Sequence, residues 1–141
     1  MIQGSAPCTS FKRELFLKIH DCLNDVLMIA LYSGDAELGR DTTFYITEGE
    51  IEGTGYITGG QRLLSPQVLA DAATGAVFMT FADPLWLNSY LTARAALIYN
   101  QSAGQRAIGV MDFGEDLTSN NGEFRVQFPP PDPARAVIRI A

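Results

Sequence analysis

The only histidine of the 141-residue chain, His20, stands beside Asp21, and an imidazole next to a carboxylate is the pairing from which a general base is built. No G-x-S-x-G nucleophile motif accompanies it, so a structural or surface histidine is the expectation. Two cysteines, Cys8 and Cys22, are too few for a disulfide framework, and a lone histidine does not complete a zinc site with them. Glu48, Glu50 and Glu52 alternate along the chain, which places three carboxylates on one face if the segment is extended. Asp112, Glu115 and Asp116 form a second acidic group. Both sets carry the oxygen ligands that calcium takes, yet neither follows the D-x-[DN]-x-[DN]-G order of a loop site, so solvated acidic faces are expected. Paired carboxylates for glycoside hydrolysis depend on a separation that only the fold sets.

Other near-motifs lack their context. The run Gly53-Thr54-Gly55-Tyr56-Ile57-Thr58-Gly59 has the wrong spacing for a dinucleotide loop and no following helix, and reads as a twisted or bulged strand. Asp112-Phe113-Gly114 spells a kinase triplet in a chain too short for that fold and without H-R-D. Phe78, Phe81, Trp86, Tyr90 and Tyr99 are expected in core and hairpin packing, with Trp86 set apart by the turn-like 82–88 segment around it. No catalytic residue, metal site or cofactor is assigned, and the chain is not read as an enzyme.

The elements that position these residues follow from periodicity. Phe11, Leu15, Ile19 and Leu23 recur every fourth residue, predicting a short amphipathic helix over 10–23 with Thr9 or Ser10 as its cap. Residues 26–32 are uniformly apolar and read as a buried strand. Further strands are expected at 61–64, 76–81, 93–99, 107–113, 123–128 and 136–140, with Glu123-Phe124-Arg125-Val126-Gln127-Phe128 alternating strictly and half buried. Four prolines within 129–133 predict a stiff loop. The fold expectation is a mainly β chain: one antiparallel β-sandwich, Ig-like or jelly-roll-like, over 10–141, with a short N-terminal amphipathic helix and an N-terminal arm over 1–9.

Composition narrows the function classes. Sixteen Asp and Glu against ten Lys and Arg give a net charge of −6, which repels nucleic acid. No apolar stretch approaches the roughly 20 residues that span a bilayer, and residues 1–7 lack the pattern of a signal peptide, so synthesis in the cytoplasm without membrane partners is expected.

A whole-chain pattern adds to this. Ser10-Phe11-Lys12 with His20-Asp21, Ile29-Ala30-Leu31-Tyr32, Gly53-Thr54-Gly55-Tyr56 with Gly59-Gly60, and Phe81-Ala82-Asp83-Pro84 with Trp86 carry it through the first half. The stretch from Thr92 to Asn100, Ala107, Asp112-Phe113-Gly114, Asn121-Gly122 and Ile138-Arg139-Ile140-Ala141 complete it. Together they resemble a family of small virion-associated proteins of tailed bacteriophages and prophages, over nearly all of 10–141. The resemblance implies a minor capsid or head-decoration protein on the capsid surface, oligomeric there, with the major capsid protein and other virion proteins as partners. Phe11, Leu15, Trp86 and Tyr90 are the candidate interface residues. Cys22 replaces an aromatic expected after His20-Asp21, and Cys8 is an addition, so these thiols are either buried and inert or an inter-subunit cross-link in the oxidising surroundings of a released virion. The alternatives are a neck, tail or fibre-base protein, and a carbohydrate-binding adhesion module stacking sugars on Trp86, Tyr90 and Tyr99.

Overall fold

A computed structural model describes residues 1–130 and 135–140. In chain order the elements are β1 (Ala6–Pro7), α1 (Thr9–Phe16), β2 (Leu27–Tyr32), β3 (Gln61–Arg62), β4 (Gln67–Ala70) and β5 (Val77–Thr80). After them come β6 (Leu85–Ser89), β7 (Thr92–Asn100), a 3-10 turn at Gln101–Ala103, β8 (Arg106–Thr118), β9 (Gly122–Arg125) and β10 (Ile138–Ile140). The chain is mainly β and its named strands pair antiparallel.

The strands divide among three sheets, β1-β8-β7-β2-β3, β10-β5-β4 and β6-β9. One physical reason lies between β3 and β4. Ser65 adopts a left-handed φ of 55° and Pro66 has no amide hydrogen, so the chain leaves one sheet there and enters another.

The apolar run at 26–32 becomes β2, bonded to β7 on one side and β3 on the other. Its Ile29, Ala30, Leu31 and Tyr32 are fully buried, as are Ala95, Ala96 and Leu97 of β7, because the five-stranded sheet is covered on both faces. The alternation at 123–128 is also seen in burial: Phe124 and Val126 face the core while Arg125 and Gln127 are exposed. The ladder stops at Arg125, but the Val126 amide still donates to the Pro84 carbonyl and the Phe128 amide to Asp83 Oδ1.

Several expectations are corrected. The helix ends at Phe16, seven residues short of Leu23, where Lys18 turns left-handed at φ 61° and the Leu17 and Ile19 amides close on the Glu14 carbonyl. Its N-cap is Cys8, whose side chain makes no capping bond, so neither Thr9 nor Ser10 has that role. Residues 53–59 form turns instead of a bulged strand. Trp86 lies within β6, and the 82–88 segment is not the open turn its sequence suggests. The 1–9 segment is no free arm: Ile2 bridges Leu38, the Gln3 amide donates to the Leu38 carbonyl, and β1 pairs with β8. Pro131, Asp132 and Pro133 of the expected stiff loop lie outside the described residues.

Gly60 shows how tightly the 33–60 segment is drawn onto the sheet. Its φ is +83°, and an added Cβ would stand 1.8 Å from the Ile29 carbonyl oxygen, in the backbone of β2 itself. Gly104, also left-handed, has nothing within 4 Å. Gly60→Ala is therefore expected to destabilise the chain by about 3 kcal/mol or more, against about 1 kcal/mol for Gly104→Ala, in urea unfolding. Equal losses at the two positions would contradict this packing.

Candidate functional site

His20 lies beyond the helix, and its partners are not Asp21. Its Nε2 is 2.9 Å from Glu14 Oε1, and its Nδ1 is 3.0 Å from Asn100 Nδ2. The same Asn100 amide nitrogen donates to Asp25 Oδ2 at 2.8 Å, and Asn100 Oδ1 accepts from the Ala103 amide at 3.1 Å. An acceptor on one side and a donor on the other fix the amide's orientation, so it can only donate to Nδ1, and the imidazole proton sits on Nε2 facing Glu14. Both ring nitrogens are committed and the ring is fully buried. No lone pair remains to accept a substrate proton.

Glu14, carried inward on α1, takes Arg106 Nη1 at 2.8 Å on its other oxygen, and the guanidinium stacks 5.5 Å over the Phe44 ring. The result is a continuous chain from Asp25 through Asn100, His20 and Glu14 to Arg106, which ties α1, the 20–25 turn, β7 and β8 together. Asp21 instead closes its own turn, accepting from the Leu23 and Asn24 amides and the Asn24 side chain. Those bonds, the Asn24 side chain first, lower its pKa from the ordinary value.

The row of three glutamates is likewise dissolved. Glu48 and Glu52 are exposed, whereas Glu50 turns inward and accepts from the Tyr45 hydroxyl at 2.5 Å, the Tyr56 hydroxyl at 2.5 Å and the Gly59 amide at 2.7 Å. Tyr99 stacks on Tyr45 with ring centroids 4.7 Å apart and donates to the Gly59 carbonyl, while Tyr32 donates to the Ile46 carbonyl. The Tyr56 oxygen also accepts from the Leu31 amide. Sequence reasoning missed this cluster, since three of its tyrosines lie apart from the glutamates and only the fold gathers them.

Asp112-Phe113-Gly114 opens a bulge in which Phe113 to Asp116 stand opposite the single Arg94 of β7. Asp112 Oδ1 accepts from the Gly114 amide at 2.9 Å and faces Arg94 Nε at 3.4 Å. Glu115 and Asp116 are exposed. Among the described residues, no three His, Cys, Asp or Glu side chains converge to hold a metal ion, and no helix is long and apolar enough to cross a membrane.

Of the four candidate interface residues, Phe11 and Trp86 are 1% and 5% exposed, committed to the chain's own core. Trp86 packs against Tyr56 and edge-on to Phe124. Leu15 is half-buried and Tyr90 is exposed. Trp86 and the buried Tyr99 offer no open face to a sugar ring, because the core covers them. Cys8 is fully buried with its thiol toward the Gly39 carbonyl, which removes it from any cross-link between folded subunits, and Cys22 is half-buried.

One open depression is apolar. A groove of about 190 Å³ runs between α1 and the β10-β5-β4 sheet, lined by Phe11, Leu15, Cys22, Val68, Val77 and Ile140 among others. Phe16 is 93% exposed beside it in sequence, and Leu17, Val68, Leu69 and Val77 are exposed as well.

Burial, then the Glu50 charge, raises the Tyr99 phenol from 10.0 to about 12, and burial first also raises Tyr32, Tyr45 and Tyr56. A folded-state pKa above the unfolded one means the protonated phenols stabilise the fold fully below about pH 10, a contribution lost as pH climbs through the raised values. In a spectrophotometric titration the phenolate absorbance of these four tyrosines is expected only as the fold is lost near about pH 12; complete titration near pH 10 with the fold intact would contradict the cluster. Burial also raises the Cys8 thiol to about 12 and the Cys22 thiol to about 11. A disulfide-exchange reagent is expected to reach no more than Cys22 in the folded chain and both thiols in urea, whereas rapid reaction of both without denaturant would contradict this placement.

Comparison with protein-family models, with curated proteins and with solved structures finds no match to this chain.

Proposed function

We propose that the chain is a structural protein of a tailed-bacteriophage virion, a minor capsid or head-decoration protein that binds the major capsid protein through protein–protein contacts. The single observation that best supports this reading is the apolar groove between α1 and the β10-β5-β4 sheet, where Val68, Val77 and Ile140 are exposed, with the exposed Phe16 and Leu17 following its Leu15 in sequence. Apolar side chains gathered in this way mark places where another protein is received.

Strand β4 adds to the argument. All four of its residues, Gln67, Val68, Leu69 and Ala70, are exposed, none is charged, and among the described residues β5 alone pairs with it. A neutral sheet edge can accept a partner's strand. In this reading the β10-β5-β4 sheet and the five-stranded sheet act as two layers of one rigid sandwich. Ile138 packs so closely on Gly109 that a Cβ there would come within 2.5 Å of its Cδ1. Leu15 and Tyr90 remain as interface residues, with Cys22 as the one thiol near the groove. A capsid lattice multiplies weak contacts by symmetry, so a modest patch on each copy suffices.

Electron microscopy of purified particles tests the reading. The expected result is density for this chain on the outer capsid lattice, in copy numbers that follow the lattice symmetry. A ring of about a dozen copies at the neck or tail would overturn the decoration role, and absence from particles would overturn the virion role.

A further inference from the structure

We propose that β4 is a self-association edge, pairing antiparallel with β4 of a second copy of this chain about a two-fold axis at Leu69. The inference rests on the reading of β4 as an open docking edge and names the strand that it receives. The phase of its backbone hydrogen bonds comes first. The Asp71 amide donates to the Ala76 carbonyl at 2.9 Å, which continues the register of β4 with β5. Bonded and non-bonded pairs alternate along an antiparallel ladder, so Leu69 and Gln67 also turn their backbone groups toward β5. Val68 and Ala70 therefore turn theirs outward. The sheet order β10-β5-β4 leaves β5 as the one neighbour of β4 among the described residues, with β10 on the far side of β5.

Outward groups at Val68 and Ala70, with Leu69 between them, make the edge complementary to itself. When Leu69 lies on a two-fold axis, Val68 faces Ala70 of the second copy and Ala70 faces its Val68. Each facing pair exchanges both of its N–H···O bonds, and Leu69 meets its own copy at the non-bonded position, where side chains stand closest. The side chains agree with the backbone. Val68 and Leu69 belong to opposite faces of the strand and are 43% and 40% exposed, so the chain itself closes over neither face. Charge also favours a contact at this place. A net charge of −6 sets copies against each other over most of their surface, but residues 63–82 hold a single charged side chain, Asp71. In the Leu69-centred register Asp71 falls opposite the neutral Gln67 of the second copy. The two Asp71 residues then lie roughly 14 Å apart along the strands, beyond the Debye length of about 8 Å at physiological salt. Edge strands that resist pairing carry a charge, a proline or a bulge; β4 holds none of these, and Pro66 stands just before it. Val68 also lines the apolar groove, so the grooves of the two copies adjoin across the axis.

Sedimentation equilibrium of the purified chain in reductant, from about 10 μM to about 1 mM, is expected to show reversible passage from 15.3 kDa to twice that mass. Amide exchange at Val68 and Ala70 should be that of an open strand in dilute solution and roughly tenfold or more slower in concentrated solution. Leu69→Lys, which sets like charges on the axis, should weaken association roughly tenfold or more. Leu69→Cys in a Cys22→Ser chain gives an arm that stands even if the lysine variant does not fold. Its oxidation should link dimers, because facing residues at a non-bonded position have Cα atoms about 4.5 Å apart, within disulfide reach. Ala72→Cys in the same background should stay unlinked, since its two copies lie roughly 20 Å apart. A chain that stays monomeric throughout, a dimer whose Val68 and Ala70 amides remain open, a folded Leu69→Lys chain that associates as tightly, or equal cross-linking at 69 and 72 would overturn the inference. The purified chain is used without particles, so this failure is distinguishable from failure to find the chain on a virion.

Discussion

The carboxylate of Glu50 is the fixed point on which the long 33–60 segment depends. That segment has no strand of its own and touches the sheet through isolated bridges such as Tyr32 with Glu50 and Phe44 with Arg106. Scattered backbone bonds, such as the Ile51 amide to the Leu31 carbonyl and the Tyr45 amide to the Gln105 carbonyl, are joined by hydrogen bonds from side chains. Tyr45 and Tyr56 on one side and the Gly59 amide on the other converge on a single carboxylate, and hydrogen bonds to an ionised acceptor each contribute about 1.5–3 kcal/mol. Tyr99 then holds the Gly59 carbonyl, which brings Gly60 against the backbone of β2.

Glu14 has the equivalent position in a second network, which passes through Asn100, the residue after Tyr99 on β7. A helix of eight residues is too short to be stable alone, and burying a carboxylate on it is costly unless the charge is matched. Arg106 supplies the charge and His20 a neutral donor, with Asn100 and Asp25 fixing the histidine from behind. The groups most suggestive of chemistry in this chain, the histidine, the inward carboxylates and four of the five tyrosines, are thus occupied in joining loops to strands. The apolar groove beside α1 is a surface that remains open.

Much of this architecture was legible from local pattern. The uniform apolar run at 26–32 and the alternation at 123–128 gave strands with the right buried residues, because burial on two faces or on one leaves a direct periodic trace. The end of α1 left no such trace: Lys18 takes the left-handed conformation with no glycine to announce it, and the apolar spacing continues through Ile19 and Leu23 past the point where the backbone turns. Trp86 was misplaced for a related reason, since Pro84 and Asn88 resemble turn residues although β6 accommodates Asn88 as an irregularity at φ 49°. The site was less legible than the fold. Neither the pairing of His20 with Glu14 and Asn100 nor the gathering of tyrosines around Glu50 has a sequence signature, because both join residues that only the sheet order brings together.

The most direct measurement is the equilibrium unfolding of Glu50→Gln, read together with hydrogen exchange at the Gly59 amide. The substitution keeps the shape of the side chain but removes its charge and turns an NH2 toward groups that already donate. A loss of about 2–4 kcal/mol is expected, with the Gly59 amide exchanging at the rate of an open loop. Stability within about 0.5 kcal/mol of the wild type, with Gly59 still protected, would contradict the view that this carboxylate holds the segment in place.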